Sequence, residues 1–253
     1  MEISKNWAAF DPATYLKEYY GDVGGENLAL MRFLVKAFKD VSMSSIALDF
    51  GGGPTIYSLI TASARVKEIH FSDYLEPNLQ EVQKWLDCAP DAFDWSAFTR
   101  AALVLEDQDY SQNGILLREE EIRRRLTRVM KCDANNPLPL GKTDIQYDVL
   151  ITNFCAESST EDRSQWRLFI ENITSLLKPG GKLILCALKG AVSYSVGKEV
   201  FPAVYILEND LRQALFEVGF LKDSIQIESV PADRPSRHYQ GLMLAMAMKS
   251  ASI

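Results

Sequence analysis

Short apolar runs alternate with amphipathic segments along most of the chain. Runs of β-branched and aliphatic residues, bounded by turn-forming residues, are typical of buried strands, whereas apolar residues at helical spacing indicate helices packed on them. The runs predict strands at 46–49, 68–73, 127–132, 147–155 and 182–188, and two later strands near 223–229 and 240–248. This order predicts an α/β fold, a Rossmann-like doubly wound sheet of seven mostly parallel strands with helices on both faces.

The helices are predicted from the same spacing together with their end signals. Asp11 and Pro12 are typical of a helix start, so residues 10–20 should form a short helix, followed by a flexible joint at 21–25. The aromatic residues of this segment either pack on the core or close a pocket as a lid. Further helices are predicted at 28–38, 74–86, 119–126, 164–177 and 208–218, whereas 91–100 and 106–115 should be irregular and the conformation of 101–118 stays open.

A glycine-rich turn follows the first strand. Gly51, Gly52 and Gly53 stand after Asp49, and Pro54 with Thr55 is predicted to start the next helix. Glycine lets the backbone approach a ligand closely, and ligands of open α/β sheets bind at the carboxyl ends of the strands. The pattern lacks the third glycine of a dinucleotide site and the lysine of a phosphate-binding loop.

Acidic residues close the next two strands. Asp73 ends strand two and suits the two hydroxyls of a ribose, with Asn78 one helical turn further on. A nucleoside without a pyrophosphate fits this set, which favours S-adenosylmethionine. Asp133 ends strand three, where it either accepts a hydrogen bond from the adenine amino group or caps a turn.

Composition excludes several other classes. The net charge is −7, and the basic run 123–125 lies beside acidic 119–121 on a predicted helix, so paired surface charges are expected and nucleic acid is not. Four scattered cysteines indicate reduced thiols in a cytoplasmic protein, and two histidines do not build a histidine-rich metal site, so no metal is expected. No signal peptide or membrane-spanning run is recognised, and we expect a monomer that acts on a small molecule.

Several strings together resemble a known family. The chain is similar to class I S-adenosylmethionine-dependent methyltransferases, and specifically to the small-molecule family of nicotinamide, phenylethanolamine and thioether (indolethylamine) N-methyltransferases. The resemblance covers nearly the whole chain, as one methyltransferase domain with a helical lid region at 1–40 and a core at 41–253. The strings are Tyr15-Leu16-x-x-Tyr19-Tyr20, Asp49-x-Gly51-x-Gly53-Pro54-Thr55-Ile56-Tyr57, Ala92-Phe93-Asp94-Trp95-Ser96, Lys131-Cys132-Asp133, Leu176-Leu177-Lys178-Pro179-Gly180-Gly181 and Ala187-Leu188-Lys189.

The resemblance implies a set of cofactor and substrate contacts. Tyr15 and Tyr20 would cover the cofactor, Asp73 and Asn78 would hold its ribose, and Asn153 would approach its sulfonium. The methionine portion would meet Gly51, Gly53, Thr55 and Tyr57, and the adenine would meet Asp133 and Ala134. On the substrate side, the implied residues are Tyr20, Glu157, Cys186 and Tyr194.

Two departures from the family bear on the acceptor. Nicotinamide-type members carry an acid where this chain has Cys186, and phenylethanolamine-type members have acids where this chain has Lys189 and Gly190. Neither of those two acceptors is therefore expected. Glu157 matches the acid that amine-methylating members place after strand four, although an acid before a helix also stabilises the helix start.

These residues lead to one main hypothesis and three alternatives. The main one is methylation of a small amine by in-line displacement, with Glu157 accepting the amine's proton and Tyr20 forming part of the pocket. A thiol, thioether or selenide acceptor would need no base. Use of the cofactor as an aminoalkyl donor would release methylthioadenosine. A protein that only senses the cofactor is the alternative without turnover, and strand four lacks the motif of DNA base amino-methyltransferases.

Overall fold

A seven-stranded sheet in the order β3-β2-β1-β4-β5-β9-β8 organises the chain. The fold is that of a computed structural model, which describes residues 7–233 and 238–251. Strands β1 to β5 run parallel, and β9 lies antiparallel between β5 and β8. The order reverses between β1 and β4, so their carboxyl ends leave a crevice at that point. The strands are Ile46–Phe50 (β1), Glu68–Asp73 (β2), Leu126–Lys131 (β3), Tyr147–Asn153 (β4), Leu177–Lys189 (β5), Gln226–Pro231 (β8) and Gly241–Met248 (β9).

Helices cover both faces of this sheet, as the alternation predicts. One apolar cluster includes α2, α3, α4 and α5, and a second includes α7 and α8. Both clusters contain strand residues, so the sheet is buried on its two faces, as expected for parallel strands. The helices are Pro12–Tyr20 (α1), Gly24–Phe38 (α2), Tyr57–Ser63 (α3), Glu76–Leu86 (α4), Ser96–Leu105 (α5), Gln112–Arg125 (α6), Arg163–Ser175 (α7) and Glu208–Glu217 (α8).

The predicted lid region contains the two helices α1 and α2. The α1 helix starts as predicted, because Asp11 accepts a hydrogen bond from the Thr14 backbone at 3.3 Å. The α2 helix begins at Gly24, so the joint predicted at 21–25 is shorter than expected. Leu30 and Phe33 of α2 are buried in the core. Helix α2 is therefore part of the packed core.

The two segments predicted to be irregular are irregular at 91–95 and 106–111 and helical in the remainder. Helix α5 occupies 96–105, and α6 already begins at Gln112 because Ser111 caps it through the backbone of Gly114. Arg118 fastens α6 to the core by an ion pair of 2.6 Å with Glu106 and a hydrogen bond to the Ile60 carbonyl. The polar composition that suggested loops belongs to the exposed faces of these helices.

Other boundaries differ for local reasons. Helix α3 begins at Tyr57 and not at Pro54, because Thr55 Oγ1 donates to the Gly52 carbonyl at 2.7 Å and keeps 54–56 in the turn. Helix α7 ends at Ser175, and β5 starts at Leu177 because it already pairs there with Tyr147. The predicted turn at 178–181 is accommodated as a register shift in that pairing.

A two-stranded hairpin that the sequence patterns did not predict follows β5. It consists of Ser193–Val196 (β6) and Glu199–Pro202 (β7), paired antiparallel around Gly197. The alternation of buried and less buried residues in β6 is typical of a half-buried strand. Tyr19 of α1 donates a hydrogen bond from its hydroxyl to the Ser195 carbonyl at 2.9 Å, so the hairpin holds α1 in place.

The basic run is paired on the surface, and the cysteines are free thiols. The basic run is paired on α6, where Arg123 and Arg125 lie at 3.8 and 2.7 Å from Glu119 and Glu121. All four cysteines are unpaired; two are buried, one is intermediate, and Cys88 is exposed. Within the described ranges, no helix is long and apolar enough to cross a membrane, and no cluster of metal-ligating side chains is present.

Candidate active site

A cavity opens where the carboxyl ends of β1, β2 and β4 meet α1. Its wall includes all the residues predicted for a cofactor: Tyr15, Tyr20, Gly51, Gly53, Thr55, Tyr57, Asp73, Asn78, Asp133, Ala134 and Asn153. Tyr194 of the hairpin lines the same cavity, whereas Glu157 and Cys186 lie behind its wall. The topology thus brings together residues that the chain separates by more than a hundred positions.

The glycine turn forms the floor beside β1. Gly51 has φ 69° and a Cβ there would lie 2.3 Å from Cys155 Sγ, so only glycine fits. Gly53 has φ 64°, and a Cβ added there would meet nothing within 4 Å, so its backbone faces open space. Behind the turn, Asp49 is buried and accepts a hydrogen bond from Ser58. Burial raises the pKa of Asp49 from 3.8 to about 7.

Asp73, at the end of β2, is hydrogen-bonded to the glycine turn and to the start of α4. Its carboxylate accepts hydrogen bonds from the backbone of Gly53 and Leu75, both at 2.8 Å, and from Asn78 Nδ2 at 2.9 Å. Burial nevertheless raises the pKa of Asp73, and these hydrogen bonds oppose the rise. The Asn78 Oδ1 atom is buried without a hydrogen-bond partner among the described residues. A buried polar atom of this kind is expected to be satisfied by a ligand or water.

The ends of β3 and β4 complete this side of the cavity. Asp133 accepts from both the backbone and the side chain of Asn135 at 2.9 Å, so it does stabilise a turn, and it also lines the cavity. The two roles considered for this acid are therefore compatible. Asn153 is buried, and neither of its amide atoms has a partner in the described part of the chain. Its amide is available to a bound molecule.

Aromatic rings from α1 and α3 form the opposite wall. Tyr20 stacks on Tyr57 with centroids 5.3 Å apart, and Tyr15 lies 5.7 Å from Tyr20. Trp95 supports both Tyr20 and Tyr57 from behind at 5.5 and 6.5 Å. Burial raises the pKa of all three tyrosines well above 10, so their hydroxyls stay protonated near neutral pH.

Glu157 is a buried acid next to the cavity. Its Oε1 accepts from the Leu188 backbone at 3.0 Å and from Ser158 Oγ at 3.2 Å. Burial raises its pKa from 4.5 to about 7. The N-cap of α7 is Asp162, which accepts from the backbone of Ser164, so Glu157 is not needed as a helix cap.

Ser158 and Leu188 connect Glu157 to the cavity, because both are part of the wall. Cys186 is also buried beside Glu157, whose charge contributes to the raised pKa of that thiol; desolvation is the larger cause. Cys186 therefore supports the wall from behind, and the structure gives it no contact with the cavity.

Comparisons with known proteins agree with this geometry. The model of the NNMT/PNMT/TEMT family matches residues 2–250. The chain belongs to this family. It is 32% identical over 249 residues to the nicotinamide N-methyltransferase of Sus scrofa, covering 95% of this chain and 93% of that one. It is also 32% identical over 241 residues to the phenylethanolamine N-methyltransferase of Mus musculus, covering 91% of this chain and 81% of that one.

Solved structures of methyltransferases share the fold. The 1,6-didemethyltoxoflavin-N1-methyltransferase of Burkholderia thailandensis, solved with S-adenosylhomocysteine, aligns with a TM-score of 0.55 and 14% identity over 94% of this chain and 87% of that chain. The family and the doubly wound fold predicted from the sequence are thereby confirmed.

Within this family framework, the structure adds residues that sequence patterns did not select. Glu26 and Asn27 at the start of α2, Tyr239 before β9 and Ser158 after β4 all line the cavity. Tyr239 donates to Glu26 Oε2 at 2.7 Å. Ser158 had a detectable signal, because it directly follows the predicted acid. Glu26 and Tyr239 had none, since they meet only after the chain has folded.

Proposed function

We propose that this protein transfers the methyl group of S-adenosylmethionine to a nitrogen atom of a small amine. The observation that carries the proposal is that one cavity is lined by the strand-end acids, by the glycine turn and by Ser158, which hydrogen-bonds the buried Glu157. Family membership and the N-methyltransferase names of the relatives support it.

The residues fit the cofactor. Asn78 Oδ1 and the Asn153 amide are buried and unpartnered in the described ranges, and the open space over Gly53 admits a ligand backbone. Asp73 and Asn78 would hold the ribose hydroxyls, Asp133 the adenine amino group, and the turn at Gly51 and Gly53 the amino-acid portion. When bound, S-adenosylmethionine supplies a methyl group on a positively charged sulfur. The protein's own part is to align the acceptor and remove its proton.

Glu157 is suited to that proton transfer. An amine reaches the cavity mostly as an ammonium ion, and its lone pair is exposed only after a proton leaves. Ser158 Oγ lies between the cavity and Glu157 Oε1, so it can take a proton from the nitrogen while giving its own to the carboxylate. A carboxyl group with a pKa of about 7 holds and releases protons near neutral pH.

A sulfur acceptor is the second candidate. The observation that favours it is the position of the carboxyl group of Glu157 behind the cavity wall, because a thioether or selenide needs no base. A different outcome of the same chemistry is transfer of the aminoalkyl chain. The alternative without turnover is a protein that only binds the cofactor.

One experiment separates these candidates. Purified protein is incubated with methyl-labelled S-adenosylmethionine and panels of small amines, thiols and thioethers, and products are identified by mass spectrometry. The proposal expects labelled N-methyl products and S-adenosylhomocysteine. Products labelled only at sulfur would establish the second candidate, methylthioadenosine would establish aminoalkyl transfer, and tight cofactor binding without any product would refute turnover.

We further propose that the monomer is the active form. The support is that a single chain already brings all the residues predicted for the cofactor into one cavity, so a second chain is not needed to assemble them. Light scattering during size-exclusion chromatography, combined with activity across the eluted peak, tests it.

A further inference from the structure

The charge of the cavity wall is one-sided. Among the described residues that form it, three are acidic (Glu26, Asp73 and Asp133) and none is lysine, arginine or histidine. Asp73 and Asp133 lie at the strand ends that the proposed function assigns to the nucleoside. Glu26 lies at the start of α2 and is hydrogen-bonded to Tyr239 just before β9, so it needs a separate explanation.

Within residues 7–233 and 238–251, Glu26 is held by several hydrogen bonds and is paired with no cation. Its Oε1 accepts from the Asp233 backbone and from the Tyr239 hydroxyl, both at 3.0 Å, and its Oε2 accepts from the same hydroxyl at 2.7 Å. The Glu26 backbone in turn donates to Asp233 Oδ2 at 2.7 Å. These partners orient the carboxylate without supplying a positive charge, and the described residues include no cation paired with it.

Aromatic side chains share the cavity wall with this carboxylate. Tyr239 contacts it directly, and Asn27 fastens the adjoining segment to the Tyr19 carbonyl at 2.9 Å. From Tyr19 a chain of ring contacts runs through Tyr15, 4.9 Å away, to Phe10 at a further 5.2 Å. Trp7 and Tyr194 join the same wall. A carboxylate among aromatic faces is a general solution for binding an organic cation.

Glu26 and Glu157, the two acids not assigned to the nucleoside, have different contacts. Glu157 contacts Leu188 and Ser158, and Glu26 contacts Asp233 and Tyr239, so no residue bridges them. The nitrogen that is methylated has to lose its positive charge before transfer. It therefore does not keep an attraction to Glu26 during the reaction, whereas a second, unreactive cationic group would.

We infer that Glu26 binds a cationic group of the acceptor other than the nitrogen that is methylated, so that the substrate class is a small diamine or an amine with a second positive charge. The inference rests on the proposed function and narrows its substrate. Carboxylate, phosphate and sulfate compounds are disfavoured by the same wall. Because Glu26 acts on binding, its contribution can be measured without turnover.

The test uses two probes that differ in one charge. 4-(Aminomethyl)benzylamine carries a second ammonium group where 4-methylbenzylamine carries only hydrogen. Binding of each is measured by calorimetry to the protein saturated with S-adenosylhomocysteine, near pH 7. We expect the diamine to bind at least about tenfold more tightly. In Glu26→Gln this preference should shrink to less than about threefold, while the monoamine and S-adenosylhomocysteine bind as before.

Glu199→Gln provides the matched control. It removes an exposed carboxylate that does not line the cavity, so the preference for the diamine should persist. Thermal unfolding of both variants checks that they are folded. Equal binding of the two probes, no measurable diamine binding, or an unchanged preference in Glu26→Gln would overturn the inference. If Glu26→Gln lost affinity for S-adenosylhomocysteine to a similar extent, Glu26 would belong to the cofactor site, and the inference would also be overturned.

These outcomes are distinct from failure of the proposed function. Absence of labelled N-methyl product, with the charge preference intact, would leave Glu26 as a cation site and refute methyl transfer to amines. Conversely, methylation of monoamines as efficient as that of diamines would support the proposed function and contradict the role of Glu26.

Discussion

Replacing Glu157 by glutamine should affect stability and activity in opposite directions at alkaline pH. Burial raises the pKa of Glu157 from 4.5 to about 7, which means that the fold disfavours the ionised form. A difference of about 2.5 pKa units corresponds to about 3 kcal/mol. The side chain is 2% exposed, so solvent screening does not reduce this figure greatly.

The sign of the effect follows from the protons bound in each state. Below about pH 4.5 the carboxyl group is protonated in both states, and the shifted pKa has no influence. As the pH rises, the unfolded chain ionises first, so the free energy of unfolding decreases until about pH 7 and the full cost persists above it. Asp49 behaves in the same direction, so the variant has to be compared with the parent protein at each pH.

The measurement is the urea-induced free energy of unfolding of Glu157→Gln and the parent protein, at about pH 5 and about pH 8.5. The variant should gain up to about 3 kcal/mol relative to the parent between these values. Amine methylation should fall about 10²-fold or more, because the final proton acceptor is lost. Glu161→Gln, an exposed acid in the same loop, serves as the control. A stability difference that does not vary with pH, or an unimpaired variant, would refute the reasoning.

Three further predictions concern the cofactor residue Asp73, the glycine turn and the segment 101–118. Asp73→Ala should weaken S-adenosylhomocysteine binding at least about tenfold in calorimetry, because it leaves two backbone N–H groups and one amide without their acceptor; unchanged affinity would contradict its assignment. Gly51→Ala should lower the free energy of unfolding in urea by at least about 2 kcal/mol more than Gly53→Ala does. A Cβ at Gly51 would lie 2.3 Å from the Cys155 sulfur, whereas a Cβ at Gly53 would meet nothing within 4 Å. Equal losses would show that the turn relaxes. Arg118→Met should destabilise the protein by about 3 kcal/mol, because it leaves the buried Glu106 carboxylate unpaired, and proteolysis within 101–118 should accelerate; a change below about 1 kcal/mol would mean that the ion pair does not anchor α6.

Local patterns in the sequence were enough to predict the sheet. The spacing of apolar residues located every strand of the seven-stranded sheet to within a few residues, with the exception of the early start of β5. Local signals also identified the capped start of α1 and the acid at the end of β2. These features depend on neighbours within about four positions, so they are present in the sequence itself. The motifs that resemble the family added the residues predicted to contact the cofactor.

Amphipathic segments with many charges were harder to predict. Residues 106–111 do form a loop, whereas 112–115 belong to α6, which has a wide exposed face and is anchored by Arg118 reaching Glu106 and the Ile60 carbonyl. The hairpin of β6 and β7 was missed although its sequence alternates, because two strands of four residues are stable only when packed against something else, here α1.

The sequence by itself determined the positions of the seven strands along the chain, the glycine turn and the family. Only the tertiary structure gave the order of the strands in the sheet and decided that Glu26 and Tyr239 line the cavity while Glu157 and Cys186 do not. Glu26 and Asp233 stand 207 positions apart and hydrogen-bond directly, and no local pattern encodes such a meeting. The same holds for Glu157, whose position after β4 was recognised but whose raised pKa results from burial beside Leu188 and Ser158. Periodicity reflects the backbone, whereas charge and solvation at a site depend on all the segments that pack around it.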